Sequence, residues 1–244
     1  MRVLVGPTRE TAFDNPSGEL VFPYLDASAY ESVFDFGCGC GRVARQLLLQ
    51  RFRPRRYVGI DLHRGMIEWC NENLASVAPE FEFRHHDVYN YSFNPDRSAP
   101  DVLPFGAEDG AFTLVNAYSV FTHLTQRQAE YYLGEVSRIL AHGGVFHSTW
   151  FFFDKRDFPA LQAEHNALYA SDLDPCAAVL FDHGWVWRQA RAVGLVVYAV
   201  TPPAIRGFQW ILLMAHADVG LPEVALPPDT GQEGVVVYPE PPGG

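Results

Sequence analysis

Apolar positions along this chain alternate between two periods. SVFDFG (32–37), YVGID (57–61) and VFHSTWFFF (145–153) are short, nearly continuous apolar runs of the kind found in buried strands. FEFRHHD (81–87) alternates, and AFTLVNAYSVF (111–121) is a buried strand running into a loop. Between these runs the spacing becomes helical. RVARQLLLQRF (42–52) is one such stretch, and HRGMIEWCNENLASV (63–77) places Met66, Ile67, Cys70 and Leu74 on one face. TQRQAEYYLGEVSRILAHGG (125–144) reads as a complete helix, capped by Thr125 and ended by Gly143-Gly144. Strands alternating with helices predict an α/β fold, a mostly parallel sheet with helices on both faces.

The flanks are less regular. Pro16, Gly18 and Pro23 punctuate the first segment, where a helix or arm covering the site is expected. Residues 154–183 hold no clean strand and predict a helical insertion walling a substrate pocket. A helix is expected over 185–194, then a closing strand pair over 195–200 and 207–217. Residues 1–217 thus form one domain, and 218–244, rich in Pro and Gly, form a loosely held tail.

Composition narrows the function classes. No apolar run approaches the ~20 residues of a membrane span, and MRVLVGPTRETAFDNPSGEL has no signal-peptide core, so a soluble, cytoplasmic protein without membrane contact is expected. Net charge is -11, and the only basic cluster, RFRPRR (51–56), sits on a helix-to-strand turn. A nucleic-acid partner is therefore not expected. Cys38-x-Cys40 lacks zinc-knuckle spacing, and with Cys70 and Cys176 it reads as reduced thiols.

The candidate chemistry begins at Asp35-Phe36-Gly37-Cys38-Gly39-Cys40-Gly41, which runs from the first strand straight into a helix. Alternate glycines let the backbone turn sharply and approach a ligand, while the helix start offers free N–H groups. Dinucleotides and S-adenosylmethionine both use such a turn. The spacing here is G-x-G-x-G rather than the dinucleotide G-x-G-x-x-G, which argues against nicotinamide.

DFGCGCGR followed by GIDLHRGMIEW resembles motifs I and II of the class I S-adenosylmethionine-dependent methyltransferases, and the likeness continues through HHD, SVFTHL and the L-x-x-GG helix end. It spans roughly 32–153 and, more weakly, 184–215. The resemblance implies a Rossmann-like seven-stranded sheet with one antiparallel strand, to which GFQWILLM corresponds. It implies S-adenosyl-L-methionine as cofactor and S-adenosyl-L-homocysteine as product. Under it, Asp35 orients the glycine turn, and Gly37, Cys38, Gly39 and Gly41 line the methionine and ribose. Asp61 takes the two ribose hydroxyls, as an acceptor-only carboxylate can, and Leu62 packs on the adenine. Asp87 accepts from the adenine amino group beside Val88, while Asn116, Ala117 and Tyr118 meet the methionine and the transferred methyl.

Methyl transfer to a hydroxyl calls for a base, and histidine titrates near neutrality. Of nine histidines, His123, His147 and His183 are the candidates, with His165 on the insertion as a fourth. Asp182 beside His183 raises the thought of a metal, but a lone Asp-His pair supplies too few ligands and none is expected. Aromatic residues such as Trp150, Tyr169 and Trp185 are core or the wall of a small-molecule pocket. The expected partner is a small-molecule acceptor, most simply a sugar or other natural-product hydroxyl, and homodimerisation is left open. N-methylation of a small molecule or protein side chain is one alternative, a non-catalytic S-adenosylmethionine-binding protein another. Asn116-Ala117-Tyr118-Ser119 lacks the prolines of the turn that amino-methylating nucleic-acid enzymes carry.

Overall fold

The apolar runs become the strands of one nine-stranded sheet in a computed structural model that describes residues 10–96, 98–203 and 207–227. Strands β1 (Ser32–Phe36), β2 (Arg56–Asp61), β3 (Phe81–His85) and β4 (Phe112–Ala117) lie in the order β3-β2-β1-β4, all parallel. Next to β4 runs the long β5 (Leu140–Phe153), also parallel. The lower part of β5 pairs antiparallel with β9 (Trp210–His216), which in turn pairs antiparallel with β8 (Leu195–Thr201). Its upper end, Phe151 to Phe153, pairs with β7 (Val179–Asp182), which carries the short β6 (Ala167–Tyr169) as an antiparallel edge.

Two apolar layers hold helices to the two faces. Val43, Ala44 and Leu47 of α1 (Arg42–Leu49) and Ile67 and Cys70 of α2 (Arg64–Asn73) pack with Val33, Tyr57 and Phe81 on one side. Ala129, Tyr132, Leu133 and Val136 of α3 (Gln126–Ile139) and Trp185, Val186 and Ala190 of α4 (His183–Ala192) cover Phe34, Val115 and Phe146 on the other. Each apolar stripe recurs at three- and four-residue steps, so burying it fixes each helix against the sheet. Thr125 caps α3 through a complete capping box with Gln128.

Three expectations are corrected. The segment 154–183 is not helical: beyond a one-turn helix at Lys155–Asp157 it holds the β6–β7 hairpin, whose strands of three and four residues are too short to show a period. The seven strands β3-β2-β1-β4-β5-β9-β8 are those the resemblance implies, and the hairpin adds two more along the upper end of β5, which makes nine. Helix α3 ends at Ile139, and Gly143 and Gly144 lie inside β5, so they do not cap it. The tail is docked in part: Val224 N donates to Val197 O, Trp187 Nε1 donates to Val224 O, and Arg191 pairs with Glu223. The rest of that tail, 228–244, lies outside the described residues, as do 1–9. The expected N-terminal arm is represented among the described residues by a one-turn helix, Glu10–Phe13.

Candidate active site

Parallel strands β1, β2, β3 and β4 end on the same side of the sheet, and a cavity of about 440 Å³ opens there. Its floor is the glycine turn. Gly37, Gly39 and Gly41 all have positive φ, between 54° and 78°, which only glycine adopts freely. Gly37 and Gly39 line the cavity, whereas Gly41 does not. A Cβ on Gly37 would sit 2.4 Å from Val120 Cγ2, so the loop after β4 lies directly on the turn. A Cβ on Gly41 would sit 2.4 Å from Leu74 Cδ1, so the last glycine serves the close approach of α1 and α2.

Asp61 ties this turn to the end of β2. Its Oδ2 accepts from Gly39 N at 2.8 Å and its Oδ1 from His63 N at 2.8 Å. Each oxygen keeps a further lone pair, and the side chain lines the cavity. Burial raises its pKa, and the two backbone N–H groups hold that rise back.

Beneath the turn runs a buried polar chain. Asp35, 2% exposed, accepts from Tyr57 Oη at 2.7 Å and from Asn116 Nδ2 at 2.6 Å. With its amide nitrogen on that carboxylate, Asn116 turns Oδ1 to His147 Nδ1 at 2.7 Å. His147 Nδ1 therefore carries the ring proton, and Nε2 accepts from Tyr24 Oη at 2.8 Å. Phe22 stacks on the ring with centroids 4.2 Å apart. Burial pushes Asp35 up to about 6 against its two donors, and burial alone pushes His147 down to about 3.

The sequence candidates divide accordingly. Gly37, Cys38, Gly39, Asp61, Leu62, Val88, Tyr118 and His123 are brought together around the cavity. Asp35, Asn116 and Ala117 are buried below it. Asp87 is exposed, accepts from Asn94 Nδ2 at 2.9 Å and is not on the cavity wall, although His86 and Val88 on either side of it are. His147 is correctly on β5 but inside the sheet, with both nitrogens engaged, so no nitrogen is left to take a substrate proton. His183 starts α4, 3.4 Å from Asp154, and is not on the wall; nor is His165.

His123 is placed differently. Its Nδ1 lies 2.9 Å from Cys176 O. A carbonyl only accepts, so Nδ1 carries the proton and Nε2 presents a lone pair. That contact comes from the β6–β7 hairpin loop, which also sets Asp174 against Ser92 Oγ at 2.6 Å and so packs over the cavity rim.

Several wall residues were not singled out from sequence. Arg42 opens α1 and places its guanidinium 5.2 Å from the centre of the Tyr118 ring. Ser119 and Val120 continue the loop after β4, and Phe13 comes from the N-terminal turn. His86 bonds Tyr132 Oη at 2.8 Å within an aromatic group containing Phe36 and Phe105, and burial lowers its pKa to about 4. His86 sits one residue before the Asp87 that the motif favoured, so only the direction of the turn after β3 distinguishes them.

Asp154, Asp182 and His183 bring potential metal-ligand atoms within 4.8 Å of one another. Both carboxylates already have structural work: Asp182 caps α4 at Trp185 N and accepts from Lys155 N, and Asp154 accepts from Arg156 N and its guanidinium. The group lies off the cavity wall. The cysteines are unbonded, with Cys38, Cys40 and Cys70 buried around the turn and Cys176 half-buried.

Comparison with known proteins places this geometry. Residues 33–144 match a family model described as a methyltransferase domain. A solved S-adenosylmethionine-dependent methyltransferase from Leishmania major superposes with a TM-score of 0.54 at 13% identity, over 78% of this chain and 67% of that one. The 1,6-didemethyltoxoflavin N1-methyltransferase of Burkholderia thailandensis, solved with 1,6-didemethyltoxoflavin and S-adenosylhomocysteine, gives 0.52 at 18% identity, over 76% and 70%. An O-methyltransferase from neocarzinostatin biosynthesis gives 0.51 at 15% identity, over 79% and 51%. At such identities the likeness is one of fold.

Proposed function

We propose that the chain is a class I S-adenosylmethionine-dependent methyltransferase, that it transfers the methyl to a hydroxyl of a small molecule and that His123 receives the hydroxyl proton; the match of residues 33–144 to a methyltransferase-domain model supports the first step. The donor set of the cavity fits the cofactor. Bare peptide at Gly37 and Gly39 leaves room for the methionine end, and the spare lone pairs of Asp61 suit two neighbouring ribose hydroxyls. Leu62, Met66 and Val88 supply an apolar slot for adenine. Bound S-adenosylmethionine supplies a methyl already activated on a sulfonium sulfur.

What the protein adds is placement and a proton sink. Holding the acceptor oxygen about 3 Å from the methyl and in line is worth roughly 7–11 kcal/mol. The loop 118–120, resting on Gly37, is the part of the chain nearest that end of the turn. The observation that carries the hydroxyl reading is the His123 tautomer: the residue lines the cavity, Cys176 O holds the ring proton on Nδ1, and Nε2 keeps its lone pair. An amine acceptor, the second reading, is nucleophilic without such a base; the toxoflavin enzyme shows that the fold also serves nitrogen.

The test is a panel of sugars, phenols and amines incubated with methyl-labelled S-adenosylmethionine and scored by mass gain. Hydroxyl products that vanish in His123→Ala support the proposal. Products only on amines, or hydroxyl products undiminished in that variant, overturn it.

A further inference from the structure

Ser119 is the only non-glycine residue with positive φ among the described residues, at 60°. Serine pays for that conformation, roughly 1–3 kcal/mol, so it persists where surrounding contacts impose it. Here the contacts are identifiable and distant in sequence. Ser119 N donates to Thr149 Oγ1 on β5 at 2.7 Å, and Ser119 Oγ accepts from Gln209 Nε2, just before β9, at 2.9 Å. The residue lines the cavity, between Tyr118, which is 38% exposed, and Val120, which lies on Gly37.

The chemistry of the hydroxyl follows from its partner. An amide nitrogen only donates, so Gln209 occupies a lone pair of Ser119 Oγ and leaves the O–H free to donate. No acceptor for that hydrogen is found among the described residues. Arg42 stands over the neighbouring Tyr118 ring, with no ion-pair or hydrogen-bond partner among the described residues. The wall at this end thus offers donors, while Asp35, below the cavity, is buried and engaged.

We propose that Ser119 is a specificity-determining residue that donates a hydrogen bond to an oxygen of the methyl acceptor, and that Gln209 is the positioning residue that aims it. This rests on the methyltransferase reading of the cavity and adds to it: the acceptor is an oxygen-bearing molecule gripped at the loop after β4. The strained backbone places the hydroxyl on the cavity wall, where Gln209 is its partner.

The test uses the full chain, a deproteinised cell extract as acceptor source and methyl-labelled S-adenosylmethionine. Incorporation is followed against extract concentration, and S-adenosylhomocysteine affinity is measured separately by calorimetry. Ser119→Ala is expected to raise the half-saturating extract concentration about tenfold while S-adenosylhomocysteine affinity holds within about twofold. Ser119→Gly, which accepts the backbone conformation without strain, should show the same loss, separating the hydroxyl from the strain. Gln209→Ala should weaken saturation in the same direction, and combined with Ser119→Ala should add nothing further. Unchanged saturation in Ser119→Gly, or additive effects of the two sites, overturns the proposal. Loss of S-adenosylhomocysteine affinity in Ser119→Gly also overturns it, by assigning the residue to the cofactor. No incorporation by the unaltered protein, despite S-adenosylhomocysteine binding, overturns the transferase reading and this proposal with it.

Discussion

Replacing His147 with glutamine should flatten the acid side of the stability curve. In the folded chain burial keeps the His147 ring neutral down to about pH 3, against the usual 6.5. Between those values the unfolded chain binds a proton that the folded chain refuses. Stability is therefore lost as pH falls below about 6.5, and the loss is complete near 3. The full interval corresponds to about 5 kcal/mol, and its slope to about 1.4 kcal/mol per pH unit. His86, lowered to about 4, acts in the same direction. Asp35 opposes both: raised to about 6 from 3.8, it is protonated in the folded chain where the unfolded chain is ionised, so acidification through that window restores stability. Asp61, also raised by burial, opposes them as well. His147→Gln removes one histidine from this balance and leaves the other groups in both proteins. Denaturant unfolding across roughly pH 4.5 to 6 should show the variant's slope smaller by about 1.4 kcal/mol per unit, whatever its stability at neutral pH. Equal slopes would mean that water reaches the ring, and the buried chain from Asp35 to Tyr24 would be wrongly described.

Three further variants have expected outcomes. Asp61→Ala should weaken S-adenosylhomocysteine binding by about a hundredfold or more in calorimetry, since it removes a charged acceptor. The same variant orphans the N–H groups of Gly39 and His63 and should lose roughly 1–3 kcal/mol in denaturant unfolding. Gly41→Ala places a Cβ against Leu74 at φ +77° and should destabilise by about 2–5 kcal/mol, a loss that Gly110→Ala, with open space around it, should not match in full. His123→Ala should lower kcat on a hydroxyl acceptor by about 10²–10⁴ with little change in cofactor affinity.

Much of this architecture was legible because each central strand is an apolar run buried on both faces, and each main helix carries a stripe at helical steps. The glycine turn was equally plain, since three alternate glycines between strand and helix have few other uses. What sequence concealed depends on direction. Asp87 and His86 are neighbours just past the end of β3, yet one is exposed and the other lines the cavity, a difference that no sequence period encodes there. His147 alternates correctly within β5, but the residues that occupy it, Tyr24 and Asn116, lie 123 and 31 positions away. The β6–β7 hairpin was missed because its strands are short and its pairing partner, the upper end of β5, read simply as strand. Ser119 left no trace at all, since strain is a property of contacts and not of composition.

The account turns on S-adenosylhomocysteine lying in the cavity above Gly37 and Gly39. A crystal structure of the complex tests this most directly. It should show the homocysteine end along those two glycines, both ribose hydroxyls on Asp61, and the adenine against Leu62 and Val88. Density elsewhere, or a ribose that does not touch Asp61, would contradict it.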